Sequence, residues 1–208
     1  MFDAALRKMI DPPLNRLGRL LAARGAGADE ITVLGLGFGV LTALCIAVGW
    51  PHLALLPLAG SRLMDGLDGA VARATRKTDF GGYLDIASDF LFYGLVPMGF
   101  VWADPAGNGA AGAFLLASFY FNGASFLGYA ILAEKRGLET SAQGAKTLYY
   151  SAGLLEGSET IAFFVAICLF PGAFSALSWL FGLLCVATAT LRILAAQQQF
   201  SDFERSSA

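Results

Sequence analysis

The chain has 208 residues, of which 56% are hydrophobic and only 14% are charged. A soluble domain carries about 25% charged residues, so this composition indicates a protein whose solvent is largely the lipid bilayer. The net charge of -2 argues against a nucleic-acid-binding protein, which needs a basic surface. The length suits one domain, and we expect residues 1–208 to form a single membrane domain.

The N-terminal segment, residues 1–25, is predicted to contain a helix that lies along the membrane surface. Its leucines recur at helical spacing with arginines among them: Leu14, Leu17, Leu20 and Leu21, with Arg16, Arg19 and Arg24. An amphipathic helix with basic residues binds the anionic inner surface of a membrane. The alternative is that this segment is an ordinary charged flank to the first membrane span.

Six stretches are long and apolar enough for membrane helices, which need about 20 residues each. The predicted spans are residues 31–48, 52–74, 82–103, 110–133, 147–170 and 174–196. Turn signals separate several of them, at Trp50-Pro51, at residues 104–109 and at Phe170-Pro171-Gly172. The sequence therefore predicts an all-α integral membrane protein, with six transmembrane helices in a bundle over residues 31–196 and the amphipathic surface helix before it.

Lysine and arginine residues occur on only one side of this predicted bundle. They lie before span one, between spans two and three, between spans four and five, and at the end of span six. The loops after spans one, three and five contain neither residue. Because positively charged loops stay in the cytoplasm, we expect a multi-pass protein of the cytoplasmic (inner) membrane with both termini in the cytoplasm.

Four aspartates lie at the cytoplasmic ends of spans two and three. Asp65 and Asp68 are three residues apart, and Asp85 and Asp89 are four apart, so each pair lies on one face of its helix. A short loop joins the two spans, and we expect antiparallel neighbours whose carboxylates meet at a similar depth. An ionised side chain within a membrane helix costs about 2.5–3.5 kcal/mol on insertion scales. A divalent cation such as Mg²⁺ or Mn²⁺ offsets that cost and the mutual repulsion, because it prefers hard oxygen ligands and shares them with substrate phosphates.

The residues around the first aspartate pair leave room for a nucleotide. Open volume is expected beside Gly66, Gly69 and Ala72. Arg73 can meet a phosphate or balance the charge. The alternative is that Asp65 and Asp68 only flank a helix in the headgroup zone and pair with Arg62 and Arg73.

This stretch resembles the signature of the CDP-alcohol phosphotransferase (CDP-alcohol phosphatidyltransferase class-I) family, D-x2-D-G-x2-A-R followed by G-x3-D-x3-D. All the signature positions are filled, by Asp65, Asp68, Gly69, Ala72, Arg73, Gly81, Asp85 and Asp89. The spacer Ala74–Phe80 has seven residues, one fewer than is usual in the family. Residues 28–32 also resemble the family's P-N-x-I-T at the start of span one, with Pro and Asn replaced. The chain looks most like a bacterial inner-membrane subgroup whose acceptor the sequence does not assign.

The resemblance implies a reaction of phospholipid biosynthesis. An acceptor hydroxyl attacks the β-phosphorus of a CDP-linked lipid donor, usually CDP-diacylglycerol, and CMP leaves. Two Mg²⁺ or Mn²⁺ ions would be bound by Asp65, Asp68, Asp85 and Asp89, and Asp89 would be the general base. The nucleotide site would be lined by Gly69, Ala72, Arg73, Gly81 and Thr32, although Thr32 is equally suited to capping span one. The resemblance also implies a homodimer.

A second polar cluster on spans four to six is the predicted site for a small or lipid alcohol acceptor. The candidates are Asn122, Lys146, Glu156, Glu159 and Arg192. Intramembrane carboxylates are functional candidates by default. The two basic residues would suit an acceptor phosphate, whereas the glutamates would suit an amino alcohol or a neutral polyol. A structural polar network, with the glutamates paired to Lys146 or Arg192, is the alternative.

Two other functions fit part of this pattern. A protein that binds divalent cations for transport also needs intramembrane carboxylates, but near mid-bilayer with broken helices or repeats, and no repeat is visible here. A catalytically silent family member that acts as a scaffold has no need of a base, and Asp89 is intact. The phosphotransferase reading is therefore preferred.

Overall fold

The structure, a computed structural model, describes residues 3–136, 155 and 157–206, with side chains described from residue 10 to residue 200 of those ranges. This part of the chain is helical and contains no strand. The helices are α1 (Asp3–Ala23), α2 (Ala28–Ala47), α3 (Pro51–Ala74), α4 (Asp79–Ala103), α5 (Pro105–Lys135), α6 (Gly157–Leu169) and α7 (Phe174–Ser206). A 3₁₀ turn at Pro171–Ala173 precedes α7.

Four of the described helices, α2, α4, α5 and α7 with its preceding turn, are long and apolar enough to cross a membrane. Helix α3 has 24 residues, which is sufficient length, but its second half carries Arg62, Asp65, Asp68 and Arg73. The described α6 has 13 residues, fewer than a span needs. The predicted all-α class is confirmed and the apolar helices indicate a membrane protein, while the count of six spans stays a prediction.

The start of α4 fixes the register of the second aspartate pair. The Thr78 side chain is the N-cap and accepts a hydrogen bond from the Gly81 N–H at 3.0 Å, which satisfies one of the free donors of the first turn. Helix α4 therefore begins at Asp79, three residues before the predicted start of span three. Gly81 lies within this first turn of the helix.

The predicted turn at residues 104–109 is wrong in extent. Only Asp104 separates α4 from α5, because its carboxylate accepts the Gly107 N–H at 3.0 Å and so caps the new helix. Pro105 follows as the first helical residue, where its missing N–H costs nothing. The turn signals of this stretch therefore mark a helix start rather than a loop.

Helix α1 lies directly on the aspartate-bearing helix α3. A Cβ added at Gly18 would lie 2.7 Å from Ala70 Cβ and 2.8 Å from the Ala70 carbonyl carbon, so the two helices touch through their backbones here. One turn earlier, Leu14 Cδ1 would lie 2.7 Å from a Cβ added at Gly66. Helix α1 therefore packs against the small residues Gly66 and Ala70 of α3.

The apolar face that was predicted for the N-terminal segment is divided between two environments. Leu14 and Leu21 pack against a small core formed with α2 and α3, whereas Leu17 and Leu20 are exposed, at 40% and 56%. Packing against α3 covers two of the four leucines, and the helical spacing alone does not indicate which two. The exposed half, with its arginines, remains available to a membrane surface.

Helix α2 packs along both α3 and α4, and these two make few direct backbone contacts with each other. A Cβ added at Gly39 of α2 would lie 2.7 Å from Phe92 Cδ2, so the Phe92 ring of α4 rests against the bare backbone of α2. Phe164 of α6 meets Phe92 edge-on, with ring centroids 5.7 Å apart. Helices α5 and α7 form the second packed pair, where Phe114 and Trp179 stack at 4.5 Å.

Candidate active site

Three aspartates from two helices converge at one place. Asp65 of α3 and Asp85 and Asp89 of α4 each offer a carboxylate oxygen, and these oxygens lie within 4.8 Å of one another. The prediction that the two carboxylate pairs meet is correct, but α3 and α4 are not packed neighbours, because α2 packs against both. A Cβ at Gly35 of α2 would lie 3.0 Å from Met64 Cβ of α3, so bare α2 backbone permits this approach. The carboxylates meet across a gap that α2 closes on one side.

Asp68 lies beside this group and is held by α2. Its Oδ2 accepts a hydrogen bond of 2.7 Å from the Thr32 hydroxyl, and the two residues are only 6% and 7% exposed. The alternative role of Thr32 as a helix cap is wrong. Helix α2 begins at Ala28 after Gly27, whose N–H donates to the Glu30 carboxylate at 3.3 Å. Thr32 is a turn further on and faces the aspartates.

Arg62 is the cation of the site. Its Nη1 donates to Asp89 Oδ1 at 3.0 Å and lies 3.5 Å from Asp65 Oδ1. Its Nη2 donates to the Ser61 hydroxyl at 3.2 Å, and its Cζ lies 4.1 Å above the centre of the Phe92 ring. The alternative in which Arg62 pairs with the first aspartate pair is therefore half correct, because it contacts Asp65 and reaches across to α4.

The donor set and the space fit a divalent cation. Carboxylate oxygens are the ligands that Mg²⁺ and Mn²⁺ prefer. The aspartates line a small cavity of about 10 Å³ together with Thr32, Ser61 and Ser88, which is about the space that one water-sized sphere needs. Within the part of the chain that the structure describes, Asp65, Asp85 and Asp89 are the carboxylates close enough to hold a metal ion together.

Apart from Thr32, the nucleotide candidates are not among the residues that line this cavity. Arg73 does not contact the aspartates, because its Nε and Nη2 donate to Asn15 Oδ1 of α1 at 3.1 and 3.0 Å. Its Nη1 would lie 3.2 Å from a Cβ added at Gly69, so the guanidinium covers this glycine. Ala72 is half-buried on the same helix. A Cβ at Gly81 would lie 3.0 Å from Asp29 Oδ1, which places Gly81 beside the start of α2.

Two of the predicted acceptor residues come together between α5 and α7. Arg192 Nη1 lies 2.9 Å from Asn122 Oδ1 and 2.6 Å from the Ser125 hydroxyl. Arg192 is 6% exposed, and its Nε makes no hydrogen bond with the described residues. It lines a cavity of about 720 Å³ together with Tyr129 and Gln197, and the Tyr129 hydroxyl donates a 2.9 Å hydrogen bond to Gln199 Oε1.

The remaining acceptor candidates are Glu159, Lys146 and Glu156. Glu159 Oε2 accepts a hydrogen bond of 3.0 Å from the Ser158 hydroxyl at the start of α6. Lys146 and Glu156 lie outside the described residues. The contacts of Arg192 are with an amide and a hydroxyl, so the expected pairing of Arg192 with a glutamate is not found within the described part of the chain.

Sequence reasoning named Arg62 and Arg73 but missed their partners Asp89 and Asn15. Arg62 and Asp89 are 27 residues apart, and Asn15 and Arg73 are 58 apart. A basic residue one turn before Asp65 in an apolar stretch was a signal, since an intramembrane charge needs a partner. Asn15 and Ser125 carry no such signal, because an amide or hydroxyl is common on many helix faces.

Comparisons with known proteins agree with the signature. The sequence profile of the CDP-alcohol phosphatidyltransferase family matches residues 27–191. The chain is 45% identical over 193 residues to the inner membrane protein YnjF of Escherichia coli K12, covering 93% of this chain and 94% of that protein. It is 37% identical over 87 residues to an archaetidylinositol phosphate synthase of Pyrococcus horikoshii, which covers 41% of this chain and 46% of that protein.

The fold is also similar to that of a solved protein. A phosphatidylinositol phosphate synthase of Mycobacterium tuberculosis with bound CDP-DAG superposes with a TM-score of 0.68 at 24% identity, covering 88% of this chain and 92% of the other. The same protein in complex with manganese and citrate gives a TM-score of 0.70 over 88% of each chain. The family profile matches most of the sequence, and the aspartates of the signature lie close together in the fold. The chain therefore belongs to the CDP-alcohol phosphatidyltransferase family, whose members are transferases of phospholipid biosynthesis.

Proposed function

We propose that this protein transfers a phosphatidyl group from CDP-diacylglycerol to an acceptor hydroxyl and releases CMP, with Mg²⁺ or Mn²⁺ as cofactor. The observation that carries the proposal is the convergence of Asp65, Asp85 and Asp89, with oxygens within 4.8 Å of one another, beside Asp68 on the signature helix. The acidic cluster suits the binding of a metal ion together with substrate phosphates. The nucleotide candidates lie on the same two helices and near the start of α2.

The side chains of the cavity have distinct roles in this reaction. Asp65, Asp68 and Asp85 would hold metal and Asp89 would also contact the second ion, and two ions would stabilise the charge that develops on the phosphoryl oxygens. Asp89 takes the proton of the acceptor hydroxyl while the hydroxyl oxygen forms a bond to the β-phosphorus. The bond from that phosphorus to the oxygen of CMP breaks, so the bonding electrons leave with CMP. Thr32 orients Asp68, and Arg62 orients Asp89.

The donor is proposed from the membrane setting and from the similar protein that binds CDP-DAG. Its nucleotide lies along Gly69, Ala72 and Arg73 on α3, with Gly81 and Thr32 on the opposite side. Arg73 is already fixed by Asn15, so its remaining Nη1 can meet a phosphate. The acyl chains remain in the bilayer.

For the acceptor, we propose a small alcohol that carries a phosphate. Arg192 is buried beside a cavity, and within the described residues its hydrogen-bond partners are neutral oxygens. A buried cation without a carboxylate partner favours an anionic ligand, because burying a charge is costly unless it is paired. Relatives with partial similarity are named as archaetidylinositol phosphate synthases, which accords with a phosphorylated polyol. A role for Glu159 in binding an amino alcohol is the second possibility.

We further propose the membrane arrangement that the sequence predicts. Six spans leave both termini in the cytoplasm, as the basic loops require, and α1 lies on the inner surface through Leu17, Leu20 and its arginines. The membrane is the cytoplasmic one, in line with the name of the similar Escherichia coli protein. A homodimer is proposed on the family resemblance, and light scattering of the purified protein in detergent tests it.

CMP release by the purified protein tests the proposed reaction. CDP-diacylglycerol and Mg²⁺ are supplied with a panel of acceptors: inositol phosphate, glycerol 3-phosphate, inositol, serine, choline and phosphatidylglycerol. Release that depends on a phosphorylated acceptor, stops with chelator and returns with Mg²⁺ or Mn²⁺ supports the whole proposal. Release with serine or choline alone would move the acceptor role to the glutamates. Absence of both turnover and nucleotide binding would favour the catalytically silent scaffold.

A further inference from the structure

The guanidinium of Arg62 contacts two of the three carboxylates that can bind a metal ion together. Asp89 Oδ1 is 3.0 Å and Asp65 Oδ1 is 3.5 Å from Nη1, and both carboxylates belong to the group of three that can bind a cation. Each oxygen has a limited number of lone pairs. A metal ion and Arg62 therefore compete for the carboxylates of Asp65 and Asp89.

Arg62 is held at this position by uncharged partners. The face of its guanidinium lies on Phe92 at 4.1 Å, a cation–π arrangement that stabilises the charge. Its Nη2 is bonded to Ser61 at 3.2 Å, and Ser61 is fully buried. The side chains of Arg62, Asp89 and Asp65 are 20%, 29% and 36% exposed, so water screens these charges only in part.

The hydrogen bonding of Arg62 is incomplete. Its Nε is buried and has no hydrogen-bond partner among the described residues, although a guanidinium offers five donors in a fixed plane. The contact with the aspartates thus leaves one donor unsatisfied, which makes this arrangement less stable than a fully bonded ion pair. Arg62 can therefore give up part of its contact with the aspartates when a divalent cation binds.

From this geometry we propose that Arg62 is a built-in counter-cation of the aspartate cluster. It neutralises Asp65 and Asp89 and competes with the divalent ion for them, so it weakens metal binding while it keeps the cluster together without metal. The inference rests on the proposed function, since it concerns the metal site of that reaction. Arg62 is a positioning residue here, because it acts through the two carboxylates.

The competition predicts that removal of the charge strengthens metal binding. Without Arg62 the four carboxylates attract a dication more strongly, because the Coulomb energy between close, partly buried charges is large. We expect the Mn²⁺ dissociation constant of Arg62→Gln to fall about tenfold, which corresponds to about 1.4 kcal/mol. Chelator-treated Arg62→Gln should also unfold at a lower temperature than chelator-treated wild type. Saturating Mn²⁺ should raise the Tm of Arg62→Gln by more than it raises the Tm of wild type.

The experiment is an Mn²⁺ titration of the purified full chain, with free Mn²⁺ measured by electron paramagnetic resonance. Arg76→Gln is the matched control, because it removes the same charge from the exposed loop between α3 and α4 without touching the carboxylates. Its affinity should stay close to that of wild type. Arg62→Lys keeps the charge but loses the planar fork, and its affinity should lie between wild type and Arg62→Gln, which also serves if the glutamine variant does not fold.

The outcomes separate this inference from the proposed function. Wild type that binds Mn²⁺ and releases CMP, with Arg62→Gln binding Mn²⁺ equally or more weakly, overturns the competition and leaves the transferase proposal intact. Wild type that binds no Mn²⁺ overturns both. A fall in Tm that is the same with and without Mn²⁺ would reduce Arg62 to a purely structural residue.

Discussion

The hydroxyl of Thr32 lies 2.7 Å from Asp68 Oδ2, and this hydrogen bond joins α2 to the signature helix α3. Both side chains are buried, so the bond forms where water cannot replace it. A hydrogen bond to a charged group contributes about 1.5–3 kcal/mol. Thr32 therefore connects the start of the first apolar helix with the aspartate cluster, and its loss leaves a buried carboxylate oxygen without its donor.

Replacement of Thr32 by valine keeps the shape of the side chain and removes this donor. We expect Thr32→Val to lower kcat/KM for CDP-diacylglycerol by about 10- to 100-fold, as the energy of one charged hydrogen bond implies. The matched control is Thr42→Val on the same helix, since the buried Thr42 hydroxyl bonds the Phe38 carbonyl at 2.9 Å and contacts none of the aspartates among the described residues. Initial rates of CMP release measure both. Equal behaviour of the two variants would mean that Asp68 does not need Thr32.

The aspartate cluster was predictable because its parts are local in sequence. Asp65 with Asp68, and Asp85 with Asp89, follow from helical spacing, and the short connection brings the two pairs to one end of the molecule. The ends of α2, α3 and α4 were predicted within three residues, and Pro51 is a recognisable start signal, whereas α7 continues to Ser206, ten residues beyond the predicted end of span six. The exact start of α4 at Asp79 depended on which of several polar residues acts as the cap.

The contacts between distant segments were not predictable from the chain alone. Nothing in the sequence around Asn15 indicates that its amide binds Arg73, or that Gly18 meets Ala70. The position of α2 between α3 and α4 was also missed, because glycines such as Gly35 and Gly39 are frequent in membrane helices and do not name their partners. These contacts depend on the packing of whole helices, which single-sequence periodicity does not contain.

Asp89 is predicted to be the base, and Asp89→Asn assayed at saturating Mg²⁺ tests this role. Asp89→Asn retains an oxygen that can accept from Arg62 Nη1 at the present 3.0 Å, but it cannot take the acceptor's proton. We expect kcat to fall by about 10²- to 10⁴-fold, the usual contribution of a general base, with Tm little changed. Asp79→Asn is the control on the same helix, since Asp79 is exposed and outside the cluster. Near-normal turnover of Asp89→Asn would remove Asp89 from this role.

Arg192 is predicted to bind the phosphate of the acceptor. Arg192→Gln should raise the acceptor KM by about 10- to 100-fold, because hydrogen bonds to charged groups contribute about 1.5–3 kcal/mol, and should leave the donor KM unchanged. Steady-state kinetics with each substrate varied in turn provide the comparison.

The control for Arg192 is Arg136→Gln. Arg136 also joins α5 to α7, through the Phe200 carbonyl at 2.9 Å, but it does not line the cavity that contains Arg192. It should retain the acceptor KM of wild type. If Arg192→Gln behaves in the same way and Glu159→Gln instead changes acceptor preference, the acceptor binds through the glutamate and the phosphate assignment is wrong.

The contact between α1 and α3 gives a prediction in which two glycine substitutions have opposite signs. A Cβ at Gly18 would lie 2.7 Å from Ala70 Cβ, whereas no atom lies within 4 Å of one at Gly37. Gly18→Ala should reduce the free energy of unfolding by about 1–3 kcal/mol through overpacking. Gly37→Ala should increase it by about 0.5–1 kcal/mol, because alanine is the better helix former. Thermal unfolding in detergent, followed by tryptophan fluorescence, measures both.

Gly18→Ala, together with Asn15→Leu, also tests whether α1 supports the nucleotide site. Displacement of α1 by Gly18→Ala moves Asn15 away from Arg73 Nε, now 3.1 Å distant, so the KM for CDP-diacylglycerol should rise while kcat changes little. Asn15→Leu removes the amide without the steric conflict and should raise the same KM with a smaller effect on Tm. A donor KM that stays at the wild-type value in both variants would mean that Arg73 does not depend on α1.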